Sequence, residues 1–134
     1  MTNIKNNKNY TDERGVIEMI LENCKVGSIS RITSQPNTRR ADHYHLNDGH
    51  TIVINEGQIL MYERPVNSNS KPELFVLNKG DIHFTGPMVE HLMYFPAFTI
   101  FDCYSLLPRN SENYEKETVR FPHDLKKIYE EWKD

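Results

Sequence analysis

Between residues 15 and 108 the chain is built of short runs of β-branched and aromatic residues, each closed by turn chemistry before it reaches helical length. The runs are 15–21, 26–35, 39–45, 50–56, 58–65, 73–77, 81–85, 90–95 and 98–107. Pro36-Asn37, Asn47-Asp48-Gly49, Glu56-Gly57, Asn67 to Ser70, Asn78-Lys79-Gly80 and Gly86-Pro87 separate them. β-Branched and aromatic side chains suit a pleated surface, and Gly, Pro, Asn and Asp suit tight turns. With no helical period in this region, the pattern predicts an all-β sandwich or small barrel.

A chain of 134 residues can bury one core, so one domain and one pocket are expected. Residues 1–10 are polar and predict a flexible arm, 11–108 the barrel, and 109–134 a C-terminal extension. Only the extension changes period: Leu125, Ile128, Tyr129 and Trp132 recur at helical spacing after Phe121-Pro122. Pro122 suits a first helical position, and Lys126 with Glu130 and Lys127 with Glu131 stand one turn apart on the outer face. The apolar stripe of this short helix is expected on the outside of the barrel or on a partner subunit.

A net charge of −3 and a pI near 6.1 leave no electrostatic footprint for nucleic acid or an anionic membrane surface. The longest apolar stretch, Leu92 to Leu107, is broken by Pro96, Asp102 and Ser105, well short of the roughly 20 residues of a membrane span. The opening MTNIKNNKNYTDER lacks the apolar core of a signal peptide, so a soluble cytoplasmic protein is expected. Cys24 and Cys103 lack CxxC spacing and read as small core residues.

The segment RRADHYHLNDGH, residues 39–50, holds three of the six histidines. Alternation along a strand aims His43 and His45 to one face, about 6.5 to 7 Å apart. With Asn47-Asp48 as a two-residue hairpin tip, Leu46 would pair with Gly49 and His45 would lie across from His50. Three imidazoles would then converge, a donor set that suits Zn²⁺, Fe²⁺, Ni²⁺ or Cu²⁺. His91 is the candidate fourth donor, from the far side of a barrel. The competing reading is of partly exposed polar strand residues, and His83 and His123, each without a histidine at strand or helix spacing, fall in that class.

His43 to Gly57 reads H-x-H-x4-H-x6-G and Gly80 to His91 reads G-x10-H. These resemble the two motifs of the cupin superfamily, H-x-H-x(3,4)-E-x6-G and G-x5-P-x-G-x2-H. His50 stands where the glutamate is usual, Gly86 and Met88 take the slots of the second motif's proline and glycine, and Phe95 that of its terminal asparagine. The resemblance implies a jelly-roll barrel with a metal held by His43, His45, His50 and His91. Asp12-Glu13-Arg14-Gly15 is similar to the D-x-R-G segment of epimerases and ketoisomerases of the dTDP-4-dehydrorhamnose 3,5-epimerase type. Arg40 to His45 resembles their R-G-x-H-[YFA]-[QH] segment, which implies Arg40 on a nucleotide diphosphate and His43 as base. SQPNTRRADHYH is also similar to the cupin domain of some capsule-sugar reductases, where this region binds zinc. Ala41 stands at the family's glycine and Asp42 at its large apolar residue.

Isomerising a keto sugar needs a base near neutral pKa, a donor for the enolate oxygen and a cation for the diphosphate. His43 is the candidate base, Tyr94 or Tyr62 the donor or acid, and Arg40 or Arg31 the phosphate ligand. Asp42 points away from His43 on an ideal strand. A lone pair bound to metal cannot also take a proton, so full ligation leaves acid/base work to a metal-bound water or a tyrosine. The expected function is a metal-binding cupin, an epimerase or isomerase of a keto-sugar nucleotide in surface-polysaccharide metabolism. The alternatives are an Fe or Ni dioxygenase of a small organic acid or enol, and a non-catalytic sugar-binding module. A homodimer is expected, because small barrels with open edges commonly bury a strand on a partner.

Overall fold

The computed structural model describes residues 9–134, so most of the expected N-terminal arm lies outside the described residues. The chain runs β1 (Tyr10–Asp12), β2 (Gly15–Ile17), β3 (Ser28–Ser34), β4 (Thr38–His45), β5 (His50–Glu56), β6 (Gln58–Pro65), β7 (Glu73–Asn78), β8 (Ile82–Thr85), β9 (Val89–Phe95), β10 (Thr99–Ser105), α1 (Ser111–Glu117), β11 (Thr118–Arg120) and α2 (Leu125–Glu131). One sheet has the order β3-β10-β5-β8 and the other β11-β4-β9-β6-β7, with every pairing antiparallel. β1 and β2 form a separate two-stranded hairpin. This is an all-β jelly roll with a short C-terminal helix, and among the described residues no helix is long and apolar enough to cross a membrane.

The expected hairpin at Asn47-Asp48 is not formed, because β4 and β5 belong to different sheets. Residues 46–49 arch from one layer to the other, as do most of the short turns between strands. Within the sandwich only β6 and β7 are both consecutive and paired. Gly57 shows why one arch needs glycine: its φ is +87°, and a Cβ there would collide with Phe98 O and Thr99 Oγ1.

Alternation assigns the two faces of each strand. Ile52, Ile54, Ile59, Met61, Leu77, Phe95, Phe101 and Cys103 fill the space between the sheets. Phe95 and Phe101 stack at 5.8 Å, and burying each contributes about 1.5 to 3 kcal/mol. On the outer face of the larger sheet, Tyr62, Leu92 and Leu125 form a second cluster with Tyr94, Phe121 and Tyr129, which seats α2 as expected. The helix begins at Leu125 rather than at Pro122, because Asp124 caps it and accepts from Lys126 N and Lys127 N. α1 and β11, which sequence pattern did not reveal, bring the chain back so that β11 pairs with β4.

Candidate metal and substrate site

His43 and His45 project from β4 into the sandwich, and the register places His43 directly beside His91 on β9. His91 therefore comes from the adjacent strand of the same sheet, and His50, on β5, is the histidine that approaches from the opposite layer. Ring centroids lie 4.7 Å apart for His43 and His45, 4.8 Å for His43 and His91, 5.5 Å for His45 and His91, and 4.5 Å for His45 and His50. His43, His45 and His91 each offer a nitrogen within 4.8 Å of the other two.

These three rings carry free lone pairs. His43 Nδ1 and His45 Nε2 are buried without a partner. His91 Nδ1 faces Val89 O at 3.0 Å, which leaves its Nε2 free. Burial, and then the neighbouring imidazoles, hold His43 down to about 2. Burial likewise lowers His45 to about 3 and His91 to about 4. Neutral imidazoles aimed at one another cost the fold two unsatisfied buried nitrogens and suit a cation that accepts all three lone pairs.

His50 differs. Its Nε2 lies 3.0 Å from Asp48 Oδ2. Burial opposes its charge, but the bond to Asp48 and then the Cys103 thiol prevail and carry it up to about 9. The four expected histidines thus gather as a triad of free rings plus a His50–Asp48 pair. Glu117 secures the arch beneath them: its carboxylate accepts from Asn47 N, Asn47 Nδ2 and Asp48 N.

A β-bulge in β4 sets what else faces inward. Arg40 pairs with Met93 and Ala41 with Leu92, but His43 pairs with His91, so Asp42 is the extra residue. Ala41 and Asp42 have φ of +78° and +59°. On a regular strand Arg40 and His43 would face opposite sides, whereas one inserted residue puts both on the inner face. Asp42 turns out to pair with Arg39, which also holds Asp124.

His43, His50, His91 and Thr85 line a cavity of about 420 Å³, with Arg40, Arg109, Arg120 and Tyr114 around it. Arg40 donates to Ser34 Oγ and Thr33 O, both neutral, and Arg109 lies 4.9 Å over the Tyr114 ring. Among the described residues none of these three arginines has a carboxylate partner. The Tyr114 ring is 6.2 Å from that of His43 and 6.1 Å from that of His45.

Other expected residues lie elsewhere. Tyr62 and Tyr94 belong to the cluster under α2, on the outer face, and the Tyr94 hydroxyl donates to Asn37 Oδ1. Arg31 points outward from β3 and pairs with Asp102. His83, read as partly exposed, is buried, and its Nε2 lies 2.8 Å from Glu63 Oε2, which also accepts from Thr85 Oγ1. His123 remains partly exposed and bonds Glu90. Tyr114, Arg109 and Arg120 gave no sequence signal; they reach the site only because β11 adds to β4.

No protein-family model matches the sequence, and no curated protein matches it by sequence. Solved structures do match its fold, which is the cupin barrel. The capsular polysaccharide assembling protein CapF from Staphylococcus aureus superposes with a TM-score of 0.67 at 13% identity, over 86% of this chain but 32% of CapF. A mutant of the 3,4-ketoisomerase QdtA from Thermoanaerobacterium thermosaccharolyticum, in complex with TDP-4-keto-6-deoxyglucose, superposes at 0.64 and 13% identity, over 92% of this chain and 88% of that one. A dTDP-4-dehydrorhamnose 3,5-epimerase from Sulfolobus tokodaii gives 0.65 and 17%, over 88% and 79%. The chain thus spans about a third of CapF and most of each enzyme, and the resemblance expected from its motifs holds at the level of the fold.

Proposed function

We propose that the chain binds a sugar nucleotide and isomerises or epimerises its keto sugar, with His43, His45 and His91 holding a divalent metal. The observation that carries the reading is a cavity of about 420 Å³ lined by His43, whose buried Nδ1 has no partner, with Arg40, Arg109 and Arg120, which have no carboxylate partner among the described residues, around it. It is supported by the sugar-nucleotide enzymes among the structural neighbours. A bound cation there supplies Lewis-acid polarisation of a carbonyl.

The rest falls to side chains. Arg40, Arg109 and Arg120 suit a diphosphate, which offers several acceptor oxygens to planar, charged donors. The Tyr114 hydroxyl is the proton donor for an enolate oxygen, in place of Tyr62 or Tyr94. The walls formed by Ile52, Met61, Met93 and Phe101 keep water from the sugar and strengthen each polar contact. His50 is held by Asp48 and is not assigned as a ligand.

We infer a homodimer from the hairpin β1–β2. A two-stranded ribbon is marginal on its own, yet Tyr10, Val16 and Ile17 are 59%, 61% and 64% exposed, and Ile29 on the edge strand β3 is 64% exposed. A second copy covering the hairpin would bury Tyr10, Val16 and Ile17.

Incubation with TDP-4-keto-6-deoxyglucose in D₂O tests the function. Deuterium uptake next to the carbonyl is expected from the native protein and is expected to fall on the order of a hundredfold in Tyr114→Phe. No binding and no uptake retires the reading. Oxygen consumption with Fe²⁺ present would instead favour the dioxygenase alternative.

A further inference from the structure

Three of the side chains around the cavity, Arg109, Tyr114 and Arg120, come from residues 108–120, a stretch outside the apolar core. None of its described residues belongs to either apolar cluster, and β11 pairs with β4 over three residues only, at the edge of its sheet. The two ends of the stretch are fixed. Leu107 N donates to Asp48 Oδ1 at 3.0 Å on one side, and Phe121 packs against the Tyr62, Leu92 and Leu125 cluster on the other.

Between those ends Glu117 ties the stretch to the 46–49 arch. It closes α1 and precedes β11, and its main-chain O accepts from Leu46 N at 3.0 Å. Its carboxylate accepts from Asn47 N at 2.8 Å, Asp48 N at 2.9 Å and Asn47 Nδ2 at 2.9 Å, so both oxygens are spent on the arch. Hydrogen bonds to an ionised acceptor are among the stronger ones a part-exposed segment can make. Tyr114 and Glu117 stand three residues apart on one helix and so share a face. Anchoring Glu117 therefore turns the Tyr114 ring toward His43 and His45, and Arg109 stacks on that ring.

We infer that Glu117 is a positioning residue: it latches residues 108–120 as a lid over the cavity and thereby sets Tyr114 against the histidines. Glu117 touches no reacting atom. With the latch made, Arg109, Tyr114 and Arg120 stand around the cavity, and with it released all three leave together, because they ride on one segment. A segment with few buried apolar contacts opens at a lower cost than the core does. Such a lid admits a ligand wider than the closed mouth without unfolding the sandwich, and closing it completes the set of polar groups. The chemical role of Tyr114 rests on the functional reading above, whereas the latch is tested without substrate.

Amide hydrogen exchange, followed residue by residue by NMR in the ligand-free protein, is the test. In the native protein the amides of Asn47, Asp48 and β11 are expected to exchange at one common rate, faster than those of β6 and β9 by on the order of tenfold or more. Glu117→Ala is expected to speed the β11 amides by on the order of tenfold, to leave β6 and β9 unchanged, and to abolish the nuclear Overhauser contacts of the Tyr114 ring with His43 and His45. Glu117→Gln, whose amide oxygen can still accept from both backbone N–H groups, is expected to keep those contacts and near-native exchange. Unchanged β11 amides in Glu117→Ala would overturn the latch, and so would an equal rise in β6 and β9, which marks general support of the fold. Where Glu117→Ala fails to fold, the native protein still decides: Asn47, Asp48 and β11 exchanging as slowly as β9 ends the proposal. A protein that binds no TDP retires the functional reading and leaves these outcomes as they stand.

Discussion

At the scale of the residue, the histidine triad ties stability to pH in a definite direction. In metal-free protein His43, His45 and His91 are held near about 2, 3 and 4 by burial and by one another. An unfolded imidazole titrates near about 6.5, so below that pH the unfolded chain binds protons that the folded chain refuses. The stability of the neutral forms is complete above about pH 6.5 and drains away as pH falls toward the folded values. Between pH 7 and 5 the loss is about 2 kcal/mol for one such group alone, and less than three times that for the coupled set. His50, raised instead, contributes fully below about pH 6.5 and loses its contribution only as pH rises through about 9. The urea midpoint of chelator-treated protein is therefore expected to fall steadily from pH 7 to 5. A flat midpoint would contradict a buried neutral cluster. At pH 7, Zn²⁺ at a hundred times its dissociation constant is expected to add about 2.7 kcal/mol, and to add nothing in His45→Ala. Spacing made His43 and His45 legible in the sequence, and His91 was singled out by its place after the Gly86-Pro87 turn, though from the far side of a barrel rather than from the strand beside His43. Parity could have excluded the two tyrosines. Tyr94 is three residues from His91 on one strand, an odd offset that sends it to the other face, and Tyr62 alternates with the inward Met61.

At the scale of the element, the bulge in β4 brings Arg40, one of the two arginines expected at the phosphate, into the site, while Arg31 stays outside on Asp102. The bulge requires Ala41 at φ +78°, where an L side chain is strained by about 1 to 2 kcal/mol. The position is the one at which the resembled R-G-x-H motif has glycine. Ala41→Gly is accordingly expected to stabilise the protein by about 1 kcal/mol, read as a higher urea midpoint at unchanged slope. Leu125 has the opposite weight: fully buried, it is the residue by which α2 grips the outer face over Tyr62 and Leu92. Leu125→Ala is expected to cost about 2 to 5 kcal/mol in the same measurement. Strand runs and the amphipathic C-terminal stripe were readable because each follows a strict period. The arches were not, since a turn such as Asn47-Asp48-Gly49 serves equally to fold a strand back beside its neighbour or to throw it across to another sheet. β11, three residues long, is too short to carry a period at all.

At the scale of the molecule, the hairpin β1–β2 predicts an assembly. Sedimentation is expected to give twice the monomer mass, and Val16→Lys with Ile17→Lys to return the monomer. A monomeric native protein would end that inference. The two layers of the sandwich are held together unevenly. Around Phe95 and Phe101 they are filled with oil-like side chains. Near the 46–49 arch, the 4.5 Å approach of His45 and His50 bridges them instead. A guest held by His45 and His50 together would tie the two layers at that end and slow amide exchange along β5 and β10, whereas one held by His43, His45 and His91 alone would leave those strands unchanged.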